Sequence, residues 1–156
     1  MRTEVFNYRS GEQVVPESIA KDLVQVIQGM DYTLTRYDIK NFKDDLSNQL
    51  KTIGWSGKVR LSTSSSISIT SVNNEIGLCT QTGNMARMYA DLIKLQTMYV
   101  DGKIKAAIFV APTKDCAKDF GDNVVNYQRL INELTNIFSK VITIPMIIVG
   151  FDSEEG

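Results

Sequence analysis

Apolar residues along this chain alternate between helical and extended spacing. After Pro16-Glu17 they fall at Ile19, Leu23, Val26, Ile27 and Met30, which is one helix face. Proline suits the first turn of that helix because its missing N–H would be unpaired there. A second stripe, Ile39, Phe42, Leu46, Leu50 and Ile53, predicts a helix over residues 37–53 that stops at Gly54. Residues 58–72 alternate instead and are rich in Ser and β-branched side chains, predicting one or two strands interrupted near Ser64-Ser65-Ser66. Asn73-Asn74 signals a turn into an extended segment at 75–81. On that segment Ile76 and Leu78 share one face, and Glu75, Gly77, Cys79 and Gln81 share the other. The second face carries polar groups and is a candidate site.

Gly83-Asn84 introduces a helix over 85–99, with Met85, Met88, Leu92, Leu95 and Tyr99 in register and the methionines read as core filler. Asp101-Gly102 turns the chain into an apolar strand at 104–111, ended by Pro112. Val124, Tyr127, Ile131, Leu134 and Phe138 mark a final helix, and the apolar run 141–151 reads as a strand inside a sheet. No repeat or linker divides the chain. The pattern predicts a single domain over 1–156 of α/β (α+β) class in three layers, a mixed central sheet of about five strands flanked by helices.

Composition narrows the chemistry. With 43% apolar and 22% charged residues, the chain can build an ordinary globular core. Its 17 basic and 18 acidic residues argue against coating nucleic acid through bulk charge, although a local basic patch stays open. The absence of histidine excludes Ser-His-Asp and Cys-His catalysis and Cys/His zinc sites. Two cysteines make no disulfide framework, the N-terminus MRTEVFNYRS has no apolar signal-peptide centre, and no apolar run approaches the ~20 residues of a membrane span. These features predict a cytoplasmic protein without a membrane partner.

The run from Thr70 to Asp91, TSVNNEIGLCTQTGNMARMYAD, resembles the catalytic core of restriction endonucleases related to BglII and BstYI. These belong to the PD-(D/E)XK nuclease class with a BamHI-like architecture. In that family a strand ends in Glu-x-Gln-Phe-Gly and the next helix carries Tyr-Asp-Leu; here Gln81, Gly83 and Ala90-Asp91-Leu92 hold the matching places. Further segments agree in order: LKTIGW at 50–55, MYVDGKI at 98–104, VAPTK at 110–114, PMIIVG at 145–150 and the opening Tyr8-Arg9-Ser10-Gly11. The resemblance implies a restriction-endonuclease-like fold, double-stranded DNA as partner, and a homodimer that reads a pseudo-palindromic site.

The departures fall on the catalytic positions. The family holds Mg²⁺ with an Asp and a later Glu, followed at the next position but one by Gln. Hard cations of this kind take oxygen anions, and the metal activates the attacking water and neutralises transition-state charge. The resemblance places Thr70 at the Asp position and Cys79 at the Glu position; Gln81 alone is kept. A hydroxyl and a soft thiol are poor ligands for such an ion. The expected function is therefore a DNA-binding, catalytically inactive pseudo-nuclease with no cofactor.

Two alternatives stand beside this reading. Glu75 and Asp91 could supply a relocated carboxylate site, giving an active Mg²⁺-dependent type II endodeoxyribonuclease. The chain could instead be a protein-interaction or inhibitor module that has lost DNA binding. Candidate DNA contacts are Lys58 and Arg60 beside the hydroxyl-rich stretch 62–66, and Asn84 and Arg87 at a helix N-terminus, where free N–H groups and the dipole favour phosphate. Plain structural roles exist for each site residue: Cys79 as a small buried side chain, Gln81 as a hydrogen-bond tie, Thr70 as a strand former and Asp91 as a structural carboxylate.

Overall fold

A computed structural model describes residues 1–153. The chain opens with β1 (Arg2–Tyr8), turns through left-handed Arg9 and Ser10, and forms helices α1 (Gly11–Val14), α2 (Glu17–Gln28) and α3 (Ile39–Lys51). Four short strands follow: β2 (Val59–Arg60), β3 (Ser68–Ile69), β4 (Ser71–Asn73) and β5 (Ile76–Thr80). The rest comprises α4 (Met85–Val100), β6 (Ala106–Pro112), α5 (Lys114–Lys118), α6 (Tyr127–Glu133), a π-helical turn at Leu134–Phe138, and β7 (Met146–Asp152).

Five strands form one sheet in the order β1-β7-β6-β5-β4. The inner pairs β5–β6 and β6–β7 are parallel, and the outer pairs β1–β7 and β4–β5 are antiparallel. β2 and β3 pair separately as a small antiparallel ribbon. Helices cover both sheet faces. On one, Leu23 and Ile27 of α2 and Phe42, Leu46 and Leu50 of α3 pack on Ile76, Leu78, Ile108, Val149 and Phe151. On the other, Met88, Leu92 and Leu95 of α4, together with Leu130 and Leu134, pack on Cys79, Ala107, Phe109 and Ile148. Burial on both faces is why β6 and β7 read as continuous apolar runs. The expected α/β fold, three layers around a mixed five-stranded sheet, is the observed one.

Several boundaries differ from the sequence expectation. The second helix is shorter than 37–53 because Asp38 stands at its N-cap and leaves Tyr37 75% exposed outside it. Gly54, at φ 105°, lies past that helix, and Trp55 folds back so that its N–H donates to the Leu50 carbonyl at 3.2 Å. The last helix begins at Tyr127, where Asn126 caps it, while Val124 forms a β-bridge with Asn84. The last strand begins at Met146, and Val141 stands exposed in the preceding segment. Pro112 ends β6 as its final residue. Gly11 is required by packing: a Cβ there would lie 2.2 Å from the Met146 carbonyl oxygen. Among the described residues no helix is long and apolar enough to cross a membrane.

Candidate functional site

The candidate site is built on the β4–β5 hairpin and the start of α4. Asn73 and Ile76 face each other across the hairpin, so Asn74 and Glu75 form its two-residue loop, both at positive φ (47° and 62°). Such loops match the right-handed strand twist, and asparagine accepts the conformation readily. This corrects the placement of Glu75, which is exposed in the turn rather than aligned with Cys79 on a strand face. Four residues of extended chain separate it from Cys79, about 13 Å at ~3.3 Å per residue. Glu75 therefore does not reach the site. The expected polar face of β5 is also not open, because Gly77 and Cys79 are buried and the Cys79 face packs under α4.

At the other end of β5 the structure brings Thr70, Cys79, Gln81 and Asp91 together. The Thr70 hydroxyl accepts from the Thr80 backbone N–H at 3.1 Å. Just past β5, Gln81 is fixed at both ends: Nε2 donates to Asp91 Oδ2 at 2.7 Å, and Oε1 accepts from the Gly83 N–H at 2.9 Å. A side chain at Gly83 would break this arrangement, since its Cβ would approach Gln81 Oε1 to 2.9 Å and Arg87 Cδ to 2.8 Å. Asp91, only 7% exposed, also takes an ion pair from Lys94 Nζ to Oδ1 at 3.2 Å. Sequence reasoning missed Lys94, although its spacing from Asp91 on one helix was the available signal.

The thiols are chemically quiet. Burial pushes Cys79 well above its ordinary value and the Asp91 charge adds to this; the Thr70 backbone N–H and the Lys94 charge only partly offset it. Cys116, on α5, is pushed up to about 12, chiefly by burial and then by the Asp152 charge. A raised folded-state value means that the stabilisation is complete below the unfolded thiol value and lost as pH rises through the folded one. Unfolded thiols ionise near pH ~8.5, so the Cys116 contribution to stability is expected to fall progressively from about pH 9 towards 12, at up to ~1.4 kcal/mol per pH unit, and Cys79 acts in the same direction. Urea unfolding at neutral pH and at pH ~10 checks the direction.

The proposed DNA contacts separate into two groups. Asn84 caps α4, its Oδ1 accepting from the Arg87 N–H at 3.2 Å, and the exposed Arg87 side chain lies over Gly83. Lys58 lines a cleft of about 410 Å³ on the α3 side of the hairpin, together with Thr70 and Thr80. Arg60 is exposed on the separate β2–β3 ribbon, opposite Ser68.

Comparison with known proteins gives the class. The sequence model of the family described as "Restriction endonuclease BglII/BglIII" matches residues 3–151, and the chain belongs to this family. Among solved structures it is similar to restriction endonuclease BglII complexed with a DNA 16-mer, at TM-score 0.85 and 12% identity, covering 99% of this chain and 79% of that one. It is likewise similar to free BglII, at TM-score 0.79 and 12% identity, covering 99% and 81%. No curated protein matches its sequence. At this identity the structural likeness establishes the fold, and the family match establishes the relationship.

The residues present do not fit the divalent cation that the family resemblance implies. Positions 70 and 79 offer a hydroxyl and a neutral buried thiol. Of the nearby carboxylates, Asp91 has one oxygen bonded to Gln81 and the other to Lys94, and Asp44 is exposed and lines the cleft that Thr70 also lines. Among the described residues no group of three or more His, Cys, Asp or Glu is placed to hold a metal ion. Hard cations need several anionic oxygen ligands, and positions 70 and 79 supply none.

Proposed function

We propose that this chain is a DNA-binding member of the BglII family that does not cut DNA. The observation that carries the reading is the donor set at positions 70 and 79, a hydroxyl that already accepts from the Thr80 N–H and a buried thiol, where the family resemblance implies two carboxylates. Hydrolysing a phosphodiester without a metal leaves the developing charge uncompensated, and losing a single electrostatic stabiliser already costs ~10²–10³ in rate. No cofactor is part of this reading. Thr70, Cys79 and Gln81 then serve as structure, and Asn84 and Arg87 face the duplex with Lys58 and Arg60. The alternative of a relocated nuclease site is disfavoured by Glu75 lying in the exposed turn.

The test is binding of a duplex followed by anisotropy as salt is raised. The expected result is affinity that falls steeply with salt and weakens several-fold in Arg87→Ala. Affinity absent even at low salt would favour the protein-interaction reading instead.

The same reading includes a two-fold dimer. An apolar depression of about 250 Å³ is lined by Tyr89, Leu92, Ile93, Phe138, Val141 and Ile142, and Ile93 and Val141 are 62% and 66% exposed. A second copy of the chain would cover this patch isologously. Ile93→Asp is expected to convert dimer to folded monomer in sedimentation velocity; a wild type that is monomeric at high concentration refutes the pairing.

A further inference from the structure

We infer that the cleft between α3 and the β4–β5 hairpin is a seat for the phosphates of one DNA strand, held by Lys43, Lys51 and Lys58. This rests on the DNA-binding reading and adds to it a surface on α3 that the sequence did not indicate. The cleft encloses about 410 Å³. Lys43 and Lys51 line it from α3, Lys58 from the segment before β2, and Thr70 and Thr80 also line it. All three lysines are exposed, and among the described residues none of them forms an ion pair.

The chain carries almost equal numbers of acidic and basic residues, so local segregation decides what a surface can bind. Here three cations meet a single acid, Asp44, which also lines the cleft. Some other cations are neutralised on their own helices, as in Lys94–Asp91, Lys118–Asp115 and Arg129–Glu133, while Lys21, Lys105 and Lys140 are exposed and do not line this cleft. Unpaired lysines around a concave, hydroxyl-lined space suit an extended polyanion. Lysine acts on phosphate as a point charge and needs no fixed fork geometry. Thr70 joins the cleft to the former catalytic strand, because its hydroxyl oxygen already holds the Thr80 N–H. A strand seated here would therefore run past the position where relatives place their first metal-binding acid.

The test compares wild type, Lys43→Gln/Lys51→Gln/Lys58→Gln, and a control with Lys21→Gln/Lys105→Gln/Lys140→Gln, using a random-sequence duplex over a salt series. Each phosphate contact contributes ~0.9 to the slope of log affinity against log salt, so the cleft variant is expected to lose about 2–3 of that slope. The control is expected to lose less than ~1. All six positions are exposed, and circular dichroism confirms folding. An unchanged slope in the cleft variant, or an equal loss in the control, overturns the cleft while leaving DNA binding intact. No salt-dependent binding in wild type overturns the DNA reading and the cleft with it. Inorganic phosphate is titrated separately: if it shifts the Thr70 and Thr80 amide resonances while the duplex does not bind, the cleft takes a small anion and the strand assignment is wrong.

Discussion

Asp91→Ala is expected to destabilise the chain by about 2–4 kcal/mol in urea unfolding. The carboxylate is nearly buried, takes a hydrogen bond from Gln81 and pairs with Lys94. Removing it strands the Gln81 amide and leaves Lys94, which is 27% exposed, facing a partly buried space without its counter-charge. That exposure keeps the expected cost below the upper range for a wholly buried pair. Asp91→Asn keeps the shape and one acceptor oxygen, so about half the loss is expected. An Asp91→Ala variant as stable as wild type would mean that the carboxylate is not bound into the scaffold as described.

The second large effect comes from restoring the family's acid. Cys79 is 1% exposed, so Cys79→Glu is expected to cost about 3 kcal/mol or more without metal, because a carboxylate would lose its hydration there. Its folded-state value would rise, so the protein should be most stable below pH ~4.3 with respect to this group and weaken as pH climbs through the raised value. Thr70→Asp/Cys79→Glu adds a second carboxylate and with it mutual repulsion, which a divalent ion relieves. Added Mn²⁺ should then raise the Tm of the double variant, by the equivalent of ~2.7 kcal/mol at a hundredfold excess over its Kd. Wild type should show no such shift. A Mn²⁺-induced rise in wild type would place a working metal site where Thr70 and Cys79 stand.

The legible parts of this sequence were those governed by periodicity. The α2 and α3 stripes, the α4 register and the apolar runs of β6 and β7 report burial directly, so the three layers followed from them. Boundaries were less legible, because Tyr37, Val124 and Val141 fit an apolar pattern yet lie outside the elements. Val124 is held outside its helix by the Asn126 cap and its bridge to Asn84, which hydrophobicity does not encode. At the site, alternation correctly put Cys79 opposite Ile76 and Leu78 but gave no sign that both faces were covered. Glu75 was misplaced because a positive-φ Asn-Glu loop is an unusual choice of residues for a hairpin. The tie from Gln81 to Asp91 and the cleft that the α3 lysines share with Lys58 depend on how distant segments are brought together, which local pattern does not contain.

The most direct test incubates the purified chain with supercoiled plasmid in Mn²⁺, which many Mg²⁺ nucleases accept as a permissive substitute. The plasmid is expected to remain supercoiled through prolonged incubation. Accumulation of nicked or linear product that a chelator abolishes, and that disappears in Gln81→Ala, would show that a divalent ion works at this hairpin after all.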